Sequence, residues 1–112
     1  MNDIGGNIIG VLQTAAFTVN SIGEQAKAWT DAQEIFGWLD LMAGSTGYST
    51  YNAKIQESTH VFLCDYVELP EGVEAETARM VIAGKVYDVT YIDDPMGLHE
   101  HLEIFLKYTG GR

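Results

Sequence analysis

The clearest alternation of apolar and polar positions lies in the last third of the chain, between residues 79 and 111. Along residues 102–108 the side chains on one face are Leu102, Ile104, Leu106 and Tyr108, and those on the other are Glu103, Phe105 and Lys107. A period of two is typical of a half-buried strand. Residues 86–92 are rich in β-branched and aromatic side chains and lie between turn-forming segments at 83–85 and 93–97. The pattern predicts strand, tight turn, strand, longer loop and strand.

The first third of the chain has a weaker pattern. Residues 12–19 are strand-like but small, and the turn residues 20–23 that follow predict a hairpin returning through residues 27–29. The apolar segment 34–42 fits either a short helix or a strand buried on both faces. Gly37 in its middle would weaken a helix by about 1 kcal/mol relative to alanine. Aromatic side chains on either side of this glycine suit a pleated surface, so we favour the strand.

Residues 58–67 predict a further strand. Val61 and Leu63 share one face, whereas the opposite face is formed by His60, Phe62, Cys64 and Tyr66. Because both faces are largely apolar, this strand is expected to lie centrally in a sheet. About six short strands with regular turn signals predict an all-β fold, a small antiparallel barrel or a sandwich. The fold becomes a β-rich α+β fold if residues 50–57 form one short helix.

Length and charge set limits on the class of protein. With 112 residues, the chain is expected to form one domain, residues 1–112, around a single core. Sixteen acidic residues against six basic ones give a net charge of −10, which argues against tight binding to a nucleic-acid backbone. No apolar run approaches the roughly 20 residues that span a bilayer, so no membrane partner is predicted. The lone Cys64 and the absence of a signal-peptide pattern indicate synthesis in a reducing, intracellular compartment.

Candidate catalytic or metal-binding chemistry is sparse. His99 and His101 would share one side of a strand, but a metal site needs a further ligand, which His60 or Asp93 would have to supply. The common nucleophile, metal-hydrolase and nucleotide-binding motifs do not occur. Cys64 lies within an apolar strand, which indicates a core residue rather than a nucleophile. We therefore predict a protein that is not an enzyme and uses no cofactor.

One segment is too long and too polar to be a simple connection. Residues 44–57 contain glycine, serine, threonine and two tyrosines, with no aliphatic side chain except Ala53 before Ile55. Connections in compact domains usually have about four to six residues, and longer ones are commonly functional or disordered. This segment is therefore the first candidate for a functional loop.

The order of these features resembles the phage head–tail joining family, also called head-closure or stopper proteins, of tailed phages and prophages. The resemblance covers most of the chain. Its most specific parts are the strand that begins Thr59-His60-Val61 and the hairpin Gly-Lys-Val-Tyr-Asp-Val at residues 84–89. The remaining parts are the turn at residues 20–24 followed by Trp29, residues 37–45, and the strand and its tail at residues 102–111.

The resemblance implies a structural virion protein of the head-to-tail connector, made in the cytoplasm of the bacterial host. It would form a ring of its own copies beneath the portal and adaptor proteins and would provide the docking surface for a tail terminator or tail tube protein. Phage DNA would pass through the channel without specific binding. In this family the loop between the second and third strands closes the channel after packaging. That loop corresponds here to Gly44, Ser45, Thr46, Gly47, Tyr48, Ser49, Thr50, Tyr51 and Asn52.

A ring of this kind buries two different patches on adjacent subunits, so a monomer must expose both. Phe105, on the otherwise charged face of the last strand, is the candidate residue for one patch. Two alternatives stay open. The first is another connector ring protein, such as a tail terminator with a mixed α/β fold. The second is a metal- or ligand-binding β-barrel built on His60, His99 and His101.

Overall fold

Six antiparallel strands make up the fold of the described residues. The computed structural model describes residues 5–41 and 58–111. Over these residues the strands are β1 (Ile8–Val19), β2 (Gln25–Leu41), β3 (His60–Asp65), β4 (Ala78–Ile82), β5 (Lys85–Asp93) and β6 (His101–Gly111). A single 3₁₀ turn, Pro95–Gly97, precedes β6, and the described residues contain no α-helix. The short helix predicted at residues 50–57 lies outside the described residues.

The strands close into a barrel in the order β1, β2, β3, β6, β5, β4. All six pairings are antiparallel, and the pairing of β1 with β4 closes the sheet. The predicted all-β barrel is confirmed, and the sandwich is excluded. As expected, β3 is paired on both sides, with β2 and with β6. No helix of the described residues has the length and apolar character needed to cross a membrane.

The barrel interior holds the core. Alternate residues of each strand point inward, as a period of two requires. On β6 the predicted alternation is confirmed for Leu102, Ile104 and Leu106, each at most 3% exposed, whereas Tyr108 near the strand's end is 39% exposed. Other side chains excluded from solvent are Leu12, Phe62, Cys64, Met80, Ile82 and Val89. Burial of one such side chain is worth roughly 1.5–3 kcal/mol.

The strand predicted at residues 34–42 is confirmed over residues 34–41 as part of β2, but its predicted burial on both faces was wrong. Phe36 and Trp38 are 63% and 41% exposed, because this stretch presents its second face to the outside of the barrel. Gly37 faces inward against β3. A Cβ there would lie 2.4 Å from the Leu63 carbonyl oxygen and 2.7 Å from the Phe62 ring. The glycine is therefore needed for the close approach of two strands.

Phe105 departs from the surface position that the sequence predicted. It lies on the face of β6 opposite the barrel core, yet its side chain is fully excluded from solvent. The register of β5 against β6 shifts between Val89 and Tyr91, leaving Thr90 unpaired in the ladder. The Thr90 hydroxyl donates to the Phe105 carbonyl oxygen at 3.1 Å, and the Tyr91 and Phe105 ring centres lie 6.2 Å apart. The prediction of an exposed aromatic patch at Phe105 was wrong, since a charged neighbourhood in sequence does not report this packing.

Candidate functional site

The first two strands extend well beyond the barrel. Strand β1 pairs with β4 only over residues 10–14, whereas its pairing with β2 continues to the strand's end at Val19. Strand β2 pairs with β3 only over residues 38–41. Within the described residues, strand segments 15–19 and 25–29 are therefore paired only with each other. We refer to the hairpin of residues 15–29 as the arm.

A bulge marks the base of the arm. Leu12 pairs with Gln33 but the next residue, Gln13, pairs with Asp31, so that Ala32 is the extra residue on β2. A bulge bends the strand that carries it and increases its right-handed twist. The bulge therefore coincides with the point at which the hairpin leaves the barrel.

Polar and aromatic contacts fasten the arm at this base. Gln13 Nε2 donates to Asp31 Oδ1 at 2.8 Å, and Arg79 Nε donates to Gln13 Oε1 at 2.7 Å. The guanidinium carbon of Arg79 lies 4.3 Å from the centre of the Trp29 ring, and Lys27 Nζ lies 4.7 Å from it. Each cation is attracted by the electron-rich face of the ring. The arm is thus attached to β4 through Arg79 as well as through its own strands.

The tip of the arm is organised by one side chain. Asn20 Oδ1 accepts hydrogen bonds from the backbone N–H groups of Ile22 and Glu24, at 3.0 and 2.9 Å. The side-chain nitrogen of Asn20 donates to Glu24 Oε1 at 3.2 Å. The backbone N–H of Asn20 donates to the Glu24 carbonyl oxygen at 2.9 Å. Gly23 adopts a φ of 86°, which a glycine reaches without strain. Hydrogen bonds within residues 20–24 therefore stabilise the turn.

The surface of the arm is apolar and nearly uncharged. Phe17, Val19 and Ile22 are 66%, 67% and 75% exposed. Residues 4–23 contain no Asp, Glu, Lys, Arg or His, in a chain whose net charge is −10. Contiguous exposed apolar surface usually marks an interaction site. The weak strand predicted at residues 12–19 and its hairpin return through residues 27–29 are confirmed, but the exposed apolar surface was not predicted. The long uncharged run is the signal in the sequence that could have revealed it.

A cleft of about 690 Å³ lies between the arm and the barrel wall. Its apolar lining comes from Phe17 and Trp29 on the arm and from Ala78 and Val89 on the barrel. Two lysines and two carboxylates also line it: Lys27, Lys107, Glu76 and Asp88. The cleft is therefore mixed in charge, and nothing in its lining distinguishes one small ligand from another.

A second apolar patch continues along the outside of the same two strands. Ile9 faces Phe36 across the β1–β2 ladder, and Trp38 follows two residues further along β2. These side chains are 43%, 63% and 41% exposed. Together with the arm, they place most of the large exposed apolar side chains of the described residues on β1, β2 and the turn between them.

The predicted channel loop, Gly44 to Asn52, lies outside the described residues. Its position in the chain is nevertheless defined, because it connects the end of β2 with the start of β3. Leu41 pairs with His60, so the connection leaves and re-enters the barrel on neighbouring strands. This point lies at the end of β2 opposite the arm.

The three histidines are not brought together. His60 lies at one end of β3 with its ring edge against Tyr87, at 5.1 Å between ring centres. His101 pairs with Asp65 at the other end of β3, and its Nε2 lies 3.2 Å from Glu103 Oε2. His99 contacts the Asp94 carboxylate, and its ring stacks on that of Tyr66. Among the described residues, no three His, Cys, Asp or Glu side chains gather in an arrangement that could hold a metal ion.

Cys64 belongs to the barrel core. Burial, with a smaller contribution from the charge of Asp65, raises the pKa of its thiol to about 11. Almost none of this thiol is ionised at neutral pH, and the thiolate is the reactive form. This agrees with the assignment of Cys64 as a packing residue.

The fold places the chain among small closed antiparallel β-barrels, and solved structures share it. One is the solution structure of protein SF1141 from Shigella flexneri 2a, with a TM-score of 0.72, 20% identity and full coverage of both chains. Another is a chain of the virion of a native gene transfer agent particle, with a TM-score of 0.56 and 14% identity over 89% of this chain and 91% of that chain. At 20% and 14% sequence identity, these similarities show a shared fold. No family model and no curated protein matches the sequence.

Proposed function

We propose that the chain is a structural subunit of a phage-like particle, and specifically a ring component of its head-to-tail connector. The observation that carries the proposal is the shared fold with a chain of a gene transfer agent virion, over nearly the full length of both chains. The order of motifs, which resembles that of head-closure proteins, supports the finer assignment. The alternative of a tail-terminator protein called for a mixed α/β fold, which the strands of the described residues do not match.

The position of the candidate channel loop supports a head-closure role. In the family that the sequence resembles, the loop between the second and third strands closes the channel, and residues 42–59 connect β2 with β3 here. The strong net negative charge would also let DNA pass without tight binding, because like charges repel the phosphates. The ring would thus hold the packaged DNA through the loop and not through general affinity.

Purified particles provide the test of this function. A tagged copy of the protein should co-purify with DNA-filled particles, and antibody labelling in electron microscopy should place it at the single vertex where a tail joins the head. A tagged major capsid protein serves as the positive control. Absence of the protein from complete particles would overturn the proposal.

Deletion of residues 47–52 tests the loop separately. Shortening a surface loop changes closure entropy by only about 1 kcal/mol, so the barrel should still fold and enter particles. We expect these particles to lose packaged DNA, measured as the fraction of filled heads. A control that replaces the same residues with a glycine and serine linker of equal length distinguishes loop length from loop sequence. Normal DNA retention in the deletion variant would remove the loop from the mechanism while leaving the ring assignment intact.

A further inference from the structure

We infer that the arm joins copies of this chain to one another by strand addition. In this arrangement the open edge of β1 in one copy, residues 15–19, pairs with the open edge of β2, residues 25–29, in the next copy. The choice of a second copy as partner rests on the proposed function, which requires a ring of identical subunits. The pairing itself goes beyond that function, because it assigns the contact to a particular part of the chain.

The arm presents two strand edges that are not protected. Among the described residues, no ladder covers the outer side of residues 15–19 or of residues 25–29. Natural proteins usually protect such edges with charges, proline, bulges or a covering element. Segment 15–19 reads Ala-Ala-Phe-Thr-Val and has no charge and no proline, and segment 25–29 has one charge, on Lys27. An edge of this kind is a template for another strand.

The two edges complement each other in direction. They belong to the two antiparallel strands of one hairpin, so hairpins placed side by side bring β2 of one copy against β1 of the next in antiparallel orientation. The contact uses different surfaces on the two copies, and such contacts generate a ring when the rotation from one copy to the next closes. A contact between two identical β1 edges would instead stop at a dimer.

Charge favours the arm as the place of contact. Two copies, each with a net charge of −10, repel each other over most of their surfaces. The arm contains one acidic residue, Glu24, at its tip, and the whole of residues 4–23 is uncharged. Close approach therefore meets less repulsion at the arm than at the acidic segment of residues 68–76. Added salt should strengthen self-association, because it screens the remaining repulsion.

The arm also gains stability from such pairing. A two-stranded hairpin is marginally stable in water, and neighbouring strands on either side would supply the ladder hydrogen bonds that it lacks. Phe17 and Val19, which are 66% and 67% exposed, would be covered at least in part by the adjacent hairpin. Each large side chain removed from water contributes roughly 1.5–3 kcal/mol when burial is complete.

Disulfide trapping between two variants tests the pairing. Ala16→Cys is mixed with a size-tagged Ala26→Cys, Ala28→Cys or Thr30→Cys chain and oxidised at millimolar protein concentration. Disulfides form between Cα atoms about 4.4–6.8 Å apart, which neighbouring strands at about 4.8 Å satisfy and next-but-one strands do not. The unmodified chain is the control, since its Cys64 is buried and unreactive. We expect a cross-linked pair of unequal size in at least one mixture.

The other outcomes of this experiment contradict the inference. A disulfide dimer formed by Ala16→Cys alone would show that identical β1 edges meet. Failure of all three mixtures to cross-link would show that the arm edges do not meet. If the chain is present in particles and the mixtures still fail, the ring function stands and the arm assignment falls. If they cross-link and the chain is absent from particles, self-assembly stands and the connector function falls.

A charge placed on the edge gives an independent measurement. Ala16→Glu puts an acidic group on the paired segment, whereas Leu98→Glu puts the same group on an exposed apolar position outside the arm. We expect Ala16→Glu to weaken self-association at least about fivefold in analytical ultracentrifugation and Leu98→Glu to change it less than about twofold. Circular dichroism checks that both variants keep the barrel. Equal effects of the two substitutions would show that the edge is not the contact.

Discussion

Strands β1 and β2 form both the arm and part of the barrel, yet the two portions place their apolar side chains in opposite ways. In the barrel portion of β1 and β2, Leu12 and Ile35 are at most 4% exposed. In the arm, Phe17 and Val19 of the same β1 strand are about two-thirds exposed. The barrel portion is covered because the other four strands close around it, and the arm extends past them. Substitutions in the barrel should therefore change the free energy of unfolding, and substitutions in the arm should change association.

The sharpest contrast is between two phenylalanines. Phe62 is fully buried in the core, and Phe62→Ala should lower the free energy of unfolding by about 3–5 kcal/mol, through lost burial and a residual cavity. Phe17→Ala, at a side chain 66% exposed, should change it by less than about 0.5 kcal/mol. Urea denaturation followed by circular dichroism measures both at a concentration where the chain is monomeric. Similar losses would show that the arm is part of the folding unit.

Within the barrel, substitution of two glycines by alanine should change stability to different extents, because an added Cβ meets different neighbours. Gly37→Ala places a Cβ against the Leu63 backbone and the Phe62 ring and should cost about 1–3 kcal/mol of unfolding free energy. Gly10→Ala meets only the flexible side chain of Met80, whose sulfur lies 2.7 Å from the added Cβ position. We expect the Gly10 substitution to be the milder of the two in thermal denaturation. The reverse order would mean that β2 and β3 have room to separate.

Two hydroxyl groups are buried where the register of β5 against β6 shifts. Their removal should have a smaller effect on the free energy of unfolding. The Ser58 and Thr90 hydroxyl oxygens lie 2.6 Å apart, and Thr90 also donates to the Phe105 carbonyl. Thr90→Val keeps the shape of the side chain and removes both hydrogen bonds, which should lower the free energy of unfolding by about 1–2 kcal/mol. Thr18→Val, on the exposed arm, is the matched control and should be nearly neutral. A neutral result for both would show that this hydrogen-bonded corner adds nothing to the barrel.

The smallest expected effect is on the pH dependence of the free energy of unfolding. Burial, with a smaller contribution from the positive charge of Lys85, lowers the pKa of His60 below its ordinary value of about 6.5. The unfolded chain therefore binds this proton more readily than the folded chain. The contribution to stability is complete above pH 6.5 and is lost as the pH falls from there through the lowered pKa.

The measurement is a difference between two chains, because carboxylates also titrate in acid. The free energy of unfolding of the unmodified chain should fall more steeply below pH 6.5 than that of His60→Asn. The arm contains no histidine, so the same comparison for an Asn20→Ala variant should leave the slope unchanged. Parallel curves for the unmodified chain and His60→Asn would show that His60 takes up its proton equally in both states.

Much of the barrel was predictable from short stretches of sequence. The alternation over residues 102–108 and the tight turn at residues 83–84 report local backbone preferences, so strands β4, β5 and β6 were placed correctly. Over residues 34–41, the strand was correctly assigned because of Gly37 and its aromatic neighbours. The bulge at Ala32, the extent of the arm and the burial of Phe105 were not predictable, because each depends on where a strand ends or shifts its register against its neighbour.

The amino-acid sequence by itself determined the strands, their turns and the division of each strand into two faces, because a period of two and turn-forming residues act over a few neighbouring positions. The tertiary structure alone decided which of those faces are covered. Phe36, Trp38 and Phe105 all lie on the strand face opposite the barrel core, yet the first two are exposed and the third is buried. Whether a face is covered depends on which strands, distant in sequence, pack against it, and closure of the barrel brings those strands together.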